Sequence, residues 1–198
     1  MNGNLTNPIT VKRLDAALAQ MVTATHLYFG DGDEVSIYSL ARAAHESIRA
    51  LYKKPGARNM FANGIFLDFV RPEHRERIGK LFNKPKNYFK YEGIMRSESI
   101  EFYPDTSAWL LFDAGMGYHQ LTGTLPSALS VFRTWHTLKN YQILVGAETK
   151  QTSSHWSALM RGMTRPLFFA VATGTITFPE AQVAISKISS CVRPGILE

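Results

Sequence analysis

The fold of this chain is decided by residues 36–53, which read SIYSLARAAHESIRALYK. Apolar residues recur in this stretch at steps of three and four, and charged residues fall on the opposite side. Because an α-helix turns once every 3.6 residues, this spacing places one apolar stripe along a helix. The stretch therefore predicts an amphipathic helix that packs against other helices, with a stripe of Ile37, Leu40, Ala41, Ala44, Ile48 and Leu51.

Similar periodicity, divided by cap residues and helix stops, covers much of the chain. The sequence predicts helices from Thr10 to Gly30, from Ser36 to Lys54, from about Pro72, from Asp105 or Thr106 to Gly123, and from Pro126 to Gly146. Pro85 predicts a kink or a restart of the third helix, since proline lacks the backbone N–H. A capping box, Thr177 with Glu180, predicts a last helix. We expect an all-α helical bundle over residues 10–146 and a helical C-terminal extension over residues 147–198, packed on the bundle.

Composition is that of a folded globular protein, with 45% hydrophobic and 19% charged residues in 198. The longest apolar run, Pro166–Ala172, is far shorter than the ~20 residues of a membrane-spanning helix. Residues 1–8 show no secretory signal pattern, and the single cysteine, Cys191, cannot form an internal disulfide. These features predict a cytoplasmic protein without a membrane partner.

The charge of the chain is +6, and basic residues cluster between residues 71 and 90. Clustered lysine and arginine favour RNA or DNA because binding releases counterions from the phosphates. Glu73 and Glu76 offset part of this charge, and the alternative is a solvated helix face. The basic cluster comprises Arg71, His74, Arg75, Arg77, Lys80, Lys84, Lys86 and Lys90.

Within this cluster, Lys86-Asn87-Tyr88-Phe89-Lys90-Tyr91 reads as the start of a helix and resembles a motif of a bacterial all-helical family of unknown function. In that family the segment runs Arg-Asn-Phe-Phe-Lys-His, and its Arg-x4-His spacing is the signature of the HEPN superfamily, many of whose members cut RNA. The resemblance covers residues 10–145 and also rests on three other segments: residues 32–37, residues 40–46, and residues 111–114 with Tyr118, Leu121, Thr122 and Gly123.

The resemblance implies a bundle of about four core helices that dimerises by apposing the motif-bearing helices. In active members the Arg and His of two protomers converge on one RNA phosphate; here Lys86 and Tyr91 stand at the two catalytic positions. Lys86 can supply a positive charge without the bidentate fork of arginine, but a phenol with a pKa near ~10 is a poor base at neutral pH. The residues predicted to contact nucleic acid are Arg75, Lys84, Lys86, Asn87 and Lys90.

Other candidate sites have simpler interpretations. His45 lies at the edge of an apolar stripe, which predicts a packed histidine with one satisfied ring nitrogen rather than a base. Asp31 and Asp33 flank Gly32 in a turn without the distant glutamate of a calcium loop. The spacing of His119, His136 and His155 does not fit a zinc site, so we expect neither a metal nor a cofactor.

These observations lead to an expected function and two alternatives. The first is a HEPN-like homodimer, non-catalytic or weakly catalytic, that associates with RNA or with a protein partner in a defence or toxin–antitoxin-like setting. The second is a structural or adaptor protein whose basic face is only solvated. The third is a metal-independent ribonuclease that uses Lys86 with another group such as His45 or His119.

Overall fold

The computed structural model describes residues 8–52, 70–90, 99–144, 162–177 and 179–181. Six helices are bounded within these ranges: α1 (Arg13–Phe29), α2 (Glu34–Tyr52), α3 (Pro72–Lys90), α4 (Asp105–Thr122), α5 (Ser127–Lys139) and α6 (Arg165–Ala172). The only β contact in them is an isolated antiparallel bridge between Val70 and Leu144. The protein is all-α, as its periodicity predicts. None of these helices is long and apolar enough to cross a membrane.

Helix α2 packs against both α1 and α4, and these two contacts form the centre of the bundle. Four residues of the predicted stripe of α2 are 0% exposed, namely Ile37, Ala41, Ala44 and Ile48, whereas Leu40 and Leu51 are half-buried. Helix α4 is different because residues 106–115 are buried on every side. A helix that is buried all round is a core helix rather than an amphipathic surface helix. Helices α1, α3 and α5 also contact α4, so α4 lies at the centre of the bundle.

Several helix ends differ from the predicted ones by a few residues. Helix α1 begins at Arg13, with Lys12 rather than Thr10 in the cap position. The side chain of Asp33, not that of Ser36, caps α2, because Asp33 Oδ1 accepts a 2.7 Å hydrogen bond from the Ser36 amide. Helix α5 ends at Lys139, well before Gly146. The predicted stops at Gly30 and Gly123 are confirmed.

Helix α3 continues through Pro85 without a restart. The helix begins at Pro72, where a proline ring is suited to the first turn, and includes residues 86–90 as its later turns. Lys86 therefore does not open a helix, and that prediction is wrong. Pro85 has no backbone N–H to donate, so α3 lacks one hydrogen bond there and still continues to Lys90.

Helix α6 follows residue 146 in the chain and packs against α1 and α5. The Phe29 ring of α1 stacks on Phe169 at a centroid distance of 4.8 Å, and Phe168 lies 5.0 Å from Trp135 of α5. The Thr177 amide donates to Glu180 Oε2 at 2.6 Å, which is the glutamate half of the predicted capping box. The domain division at residue 146 itself lies outside the described residues and stays a prediction.

Candidate functional site

The predicted nucleic-acid residues fall on α3, and the structure describes them unequally. Arg75 is half-buried in the first turns, while Lys84, Lys86, Asn87 and Lys90 belong to the later turns, where only their backbone is described. Tyr91, the second catalytic position of the resemblance, lies outside the described residues. The structure thus places the five predicted contacts on one helix, without testing their side chains.

The start of α3 is attached to the chain segment that follows α5. The Arg71 amide donates to the Ile143 carbonyl at 2.8 Å, next to the bridge between Val70 and Leu144. Arg75 Nε donates to the Val70 carbonyl at 2.9 Å. One N–H group of the Arg75 guanidinium is therefore used to hold the start of α3 to the segment that precedes it.

The exposed side of α3 carries a loosely paired lysine. Lys80 Nζ lies 2.6 Å from Glu76 Oε1, with the two side chains 77% and 82% exposed. An ion pair this exposed contributes little to stability, because water screens it. Lys80 can therefore exchange Glu76 for another anion at small cost.

His45 occupies the interface of α2 and α4, where its Nε2 lies 2.7 Å from Asp113 Oδ2. The two side chains are 7% and 3% exposed. The prediction of a packed histidine with a satisfied ring nitrogen is confirmed. The histidine points into the bundle, so it cannot reach an RNA phosphate in this arrangement.

Burial raises the pKa of Asp113 above its ordinary value, and the hydrogen bond with His45 offsets part of the rise. Its second oxygen, Oδ1, has no hydrogen-bond partner in the described part of the chain. Nearby, the Tyr52 hydroxyl donates to the Gly117 carbonyl at 2.6 Å, and burial together with Asp113 raises the pKa of Tyr52 to about 12. This cluster fastens α2 to α4 and offers no open site.

An open cleft of about 460 Å³ lies where α1, α4, α5 and α6 meet the start of α2. Among the described residues it is the best candidate for a ligand site, because its volume falls in the range of about 300–1,000 Å³ that is usual for such sites. Side chains of both charges and aromatic rings line it, among them Tyr28, Glu34, Asp105, Trp135, Lys139 and Arg165.

Arg165 closes one wall of this cleft. Its Nε donates to Asp31 Oδ1 and its Nη1 to Glu34 Oε1, both at 2.9 Å, and its guanidinium lies 4.5 Å above the Tyr28 ring. The planar fork of arginine suits this combination of carboxylates and an aromatic face. Asp31, predicted as a turn residue, thus also anchors the start of α6.

Lys139 lies on another wall, with its Nζ 4.9 Å above the Trp135 ring. Partial burial lowers the pKa of Lys139, and the negative charge of Asp105 opposes this shift. The Trp135 indole N–H donates to the Tyr28 hydroxyl at 3.1 Å, which joins the two aromatic walls.

His136 lies behind these walls and is 1% exposed. Its ring stacks on Phe112 at 4.5 Å and meets Trp109 edge-on at 4.4 Å. Neither ring nitrogen has a hydrogen-bond partner among the described residues. Burial lowers the pKa of His136 to about 3, so the ring is neutral at physiological pH and serves as an aromatic packing group.

No group of three or more histidine, cysteine, aspartate or glutamate side chains is placed to hold a metal ion in the ranges that the structure describes. The cleft is not predictable from local sequence patterns, because its charged residues come from four helices that are distant in the chain. The one local signal was Arg165, a basic residue directly before an apolar run.

Comparisons of the chain with protein-family models, with curated proteins and with solved structures find no match.

Proposed function

We propose that this protein is a HEPN-like helical protein that associates with RNA through α3 and does not cleave it. One observation supports the proposal most: α3 contains six lysines and arginines and only two glutamates, in a chain whose charge is +6. A single helix thus holds most of the net positive charge. Such a concentration attracts phosphate polyanions, because each phosphate neutralised releases counterions.

The described turns of α3 support a surface role. Arg77 and Lys80 are exposed, and Lys80 pairs with the exposed Glu76. The anchors of the helix lie at its start, where Arg71 and Arg75 bond to backbone carbonyls. A helix anchored in this way can present its later lysines to a ligand while its first turn stays fixed.

The proposal excludes RNA cleavage because of the residues at the two motif positions. Lys86 lacks the bidentate geometry with which arginine stabilises a phosphorane, and Tyr91 is too weak a base near pH 7. The ribonuclease alternative with His45 loses support, because that histidine is buried against Asp113. His119 is the remaining histidine named for that alternative.

The resemblance also suggests a homodimer in which two α3 helices face each other, with RNA or a protein partner in a defence or toxin–antitoxin-like setting. Two basic helices placed together would double the charge that meets one RNA strand. Two basic helices repel each other, and RNA phosphates would neutralise this repulsion. RNA binding and dimerisation would therefore stabilise each other.

Binding to a fluorescein-labelled single-stranded RNA, followed by anisotropy, tests this proposal. We expect the affinity to fall steeply between 50 and 200 mM salt, with a log–log slope of about −0.7 for each phosphate contacted. The double variant Lys86→Glu with Lys90→Glu should weaken binding by at least about tenfold, which is the loss of two phosphate contacts and the gain of two repulsive ones.

The matched control is Lys12→Glu with Arg13→Glu, which makes the same change of charge at the exposed start of α1. If both double variants weaken binding equally, α3 is not the RNA site. If RNA binds no better than to a neutral protein of this size, the adaptor alternative replaces the proposal. Cleavage of the RNA that His119→Ala or Lys86→Ala abolishes would instead establish the ribonuclease.

A further inference from the structure

The cleft between α1, α4, α5 and α6 has charges of both signs on its walls. Asp105 begins α4, Glu34 begins α2, Lys139 ends α5 and Arg165 begins α6, and all four line the same space of about 460 Å³. The cleft is separate from α3 and from the RNA proposal. A ligand of this cleft must therefore be compatible with both signs of charge.

The negative side of the cleft has unused hydrogen-bond acceptors. Asp105 is exposed, and its carboxylate forms no ion pair or side-chain hydrogen bond within the described part of the chain. Glu34 uses Oε1 to accept from Arg165, while its Oε2 is buried without a partner there. Because this oxygen is buried, Glu34 contributes negative charge to the cleft wall, and Asp105 is the carboxylate that a ligand can contact directly. An ammonium group, with three N–H donors, can bond to Asp105 and is also attracted by the charge of Glu34.

The positive side prevents a simple amine from being the best ligand. Lys139 lies over Trp135 and Arg165 over Tyr28, so both aromatic faces already hold a cation. An added cation would meet Lys139 at close range, and an anion would meet Asp105 and Glu34. A ligand that has both charges avoids both conflicts, because each of its groups can face the opposite charge.

We propose that this cleft binds a small zwitterion of the amino-acid class, with its ammonium group at Asp105 and Glu34 and its carboxylate at Lys139. Arg165 is held by Asp31 and Glu34 and acts as a fixed wall. A mononucleotide is a poorer fit, because its phosphate dianion would meet two carboxylates.

Isothermal titration calorimetry of the full chain with each standard L-amino acid, up to about 10 mM, tests this proposal. At least one amino acid should bind. Its N-acetyl derivative, which lacks the ammonium, and its amide, which lacks the carboxylate, should each bind at least about tenfold more weakly, since each loses a charge-assisted contact.

Two pairs of variants locate the site. Asp105→Asn and Lys139→Met should each weaken binding by about tenfold, whereas Asp15→Asn on α1 and Lys80→Met on α3, which make the same changes away from the cleft, should leave it unchanged. Asp105→Asn should also reduce the difference in affinity between the parent amino acid and its N-acetyl derivative, because the carboxylate that binds the ammonium group is gone.

Three results would overturn the proposal: no heat with any amino acid, equal binding of the blocked derivatives, or unchanged binding in Asp105→Asn. Circular dichroism shows whether each variant is folded. If Lys139→Met is not folded, Asp105→Asn and the two derivatives decide the question without it. None of these outcomes depends on whether α3 binds RNA.

Discussion

Replacing His45 with leucine tests how much the buried pair of His45 and Asp113 contributes to stability. The pair is 7% and 3% exposed, and the two side chains are joined at 2.7 Å. Without the imidazole, Asp113 would keep neither oxygen bonded, because Oδ1 already has no partner in the described structure. Removing one member of a buried pair typically costs about 3–5 kcal/mol. We therefore expect His45→Leu to destabilise the protein by about this amount at pH 7.

Urea unfolding followed by circular dichroism measures the effect. With an m-value of about 2 kcal/mol per M, the loss corresponds to a midpoint lower by roughly 1.5–2.5 M. The double variant His45→Leu with Asp113→Leu removes both polar groups, and it should recover to within about 1–2 kcal/mol of the parent protein. The single variants His45→Leu and Asp113→Leu, together with the double variant, complete a cycle that isolates the interaction free energy between the two residues.

The pH dependence supplies an independent check. The folded-state pKa of Asp113 is raised, so ionisation of this carboxyl opposes folding: the penalty is absent below the unfolded-state pKa and grows as pH rises toward the folded-state value. Losing His45 removes a group that lowers this pKa, so the penalty becomes larger in His45→Leu. The gap between variant and parent should therefore shrink from pH 7 toward pH 4. A gap below about 1 kcal/mol at pH 7, or a double variant no more stable than the single one, would refute this account of the pair.

Two further predictions concern the backbone and the assembly. Gly115→Ala in α4 should stabilise the protein by about 0.5–1 kcal/mol, because alanine favours the helix and the added Cβ meets nothing within 4 Å. Gly123→Ala should destabilise the protein by about 1–2 kcal/mol, because Gly123 has a φ of +71°. Thermal unfolding measures both changes in stability, and changes of the same sign would contradict this explanation. Lys86→Cys in a Cys191→Ser background should form an intermolecular disulfide under mild oxidation if two α3 helices are apposed, while Lys12→Cys in the same background should not; equal yields would contradict the proposed dimer.

The bundle could be predicted from the sequence because each helix has a local signal of its own. The stripe of α2 has small and branched side chains at regular steps, and that spacing predicts the burial of Ile37, Ala41, Ala44 and Ile48. The caps are harder to assign, since Asp33 and Ser36 can both cap a helix and stand three residues apart. Pro85 also led to the wrong prediction of a helix start at Lys86, because a long helix tolerates the loss of one backbone hydrogen bond.

The sites were harder to predict because their residues meet only after folding. The partner of His45 lies 68 residues further along the chain. A signal for it exists in hindsight: Asp113 is a lone carboxylate inside the apolar run from Leu110 to Ala114, and such a residue needs a buried partner. The charged walls of the cleft have no comparable signal, because no local spacing connects Asp105 with Arg165.

The docking of α6 limits how this protein can be shortened in the laboratory. A fragment that stopped near residue 146 would lack Phe168 and Phe169, leaving the Phe29 ring open to water, and it would strip Asp31 and Glu34 of their guanidinium. Such a fragment would expose an apolar surface prone to aggregation beside two carboxylates that have lost their ion-pair partner. Studies of the helical bundle should therefore keep the chain at least through α6.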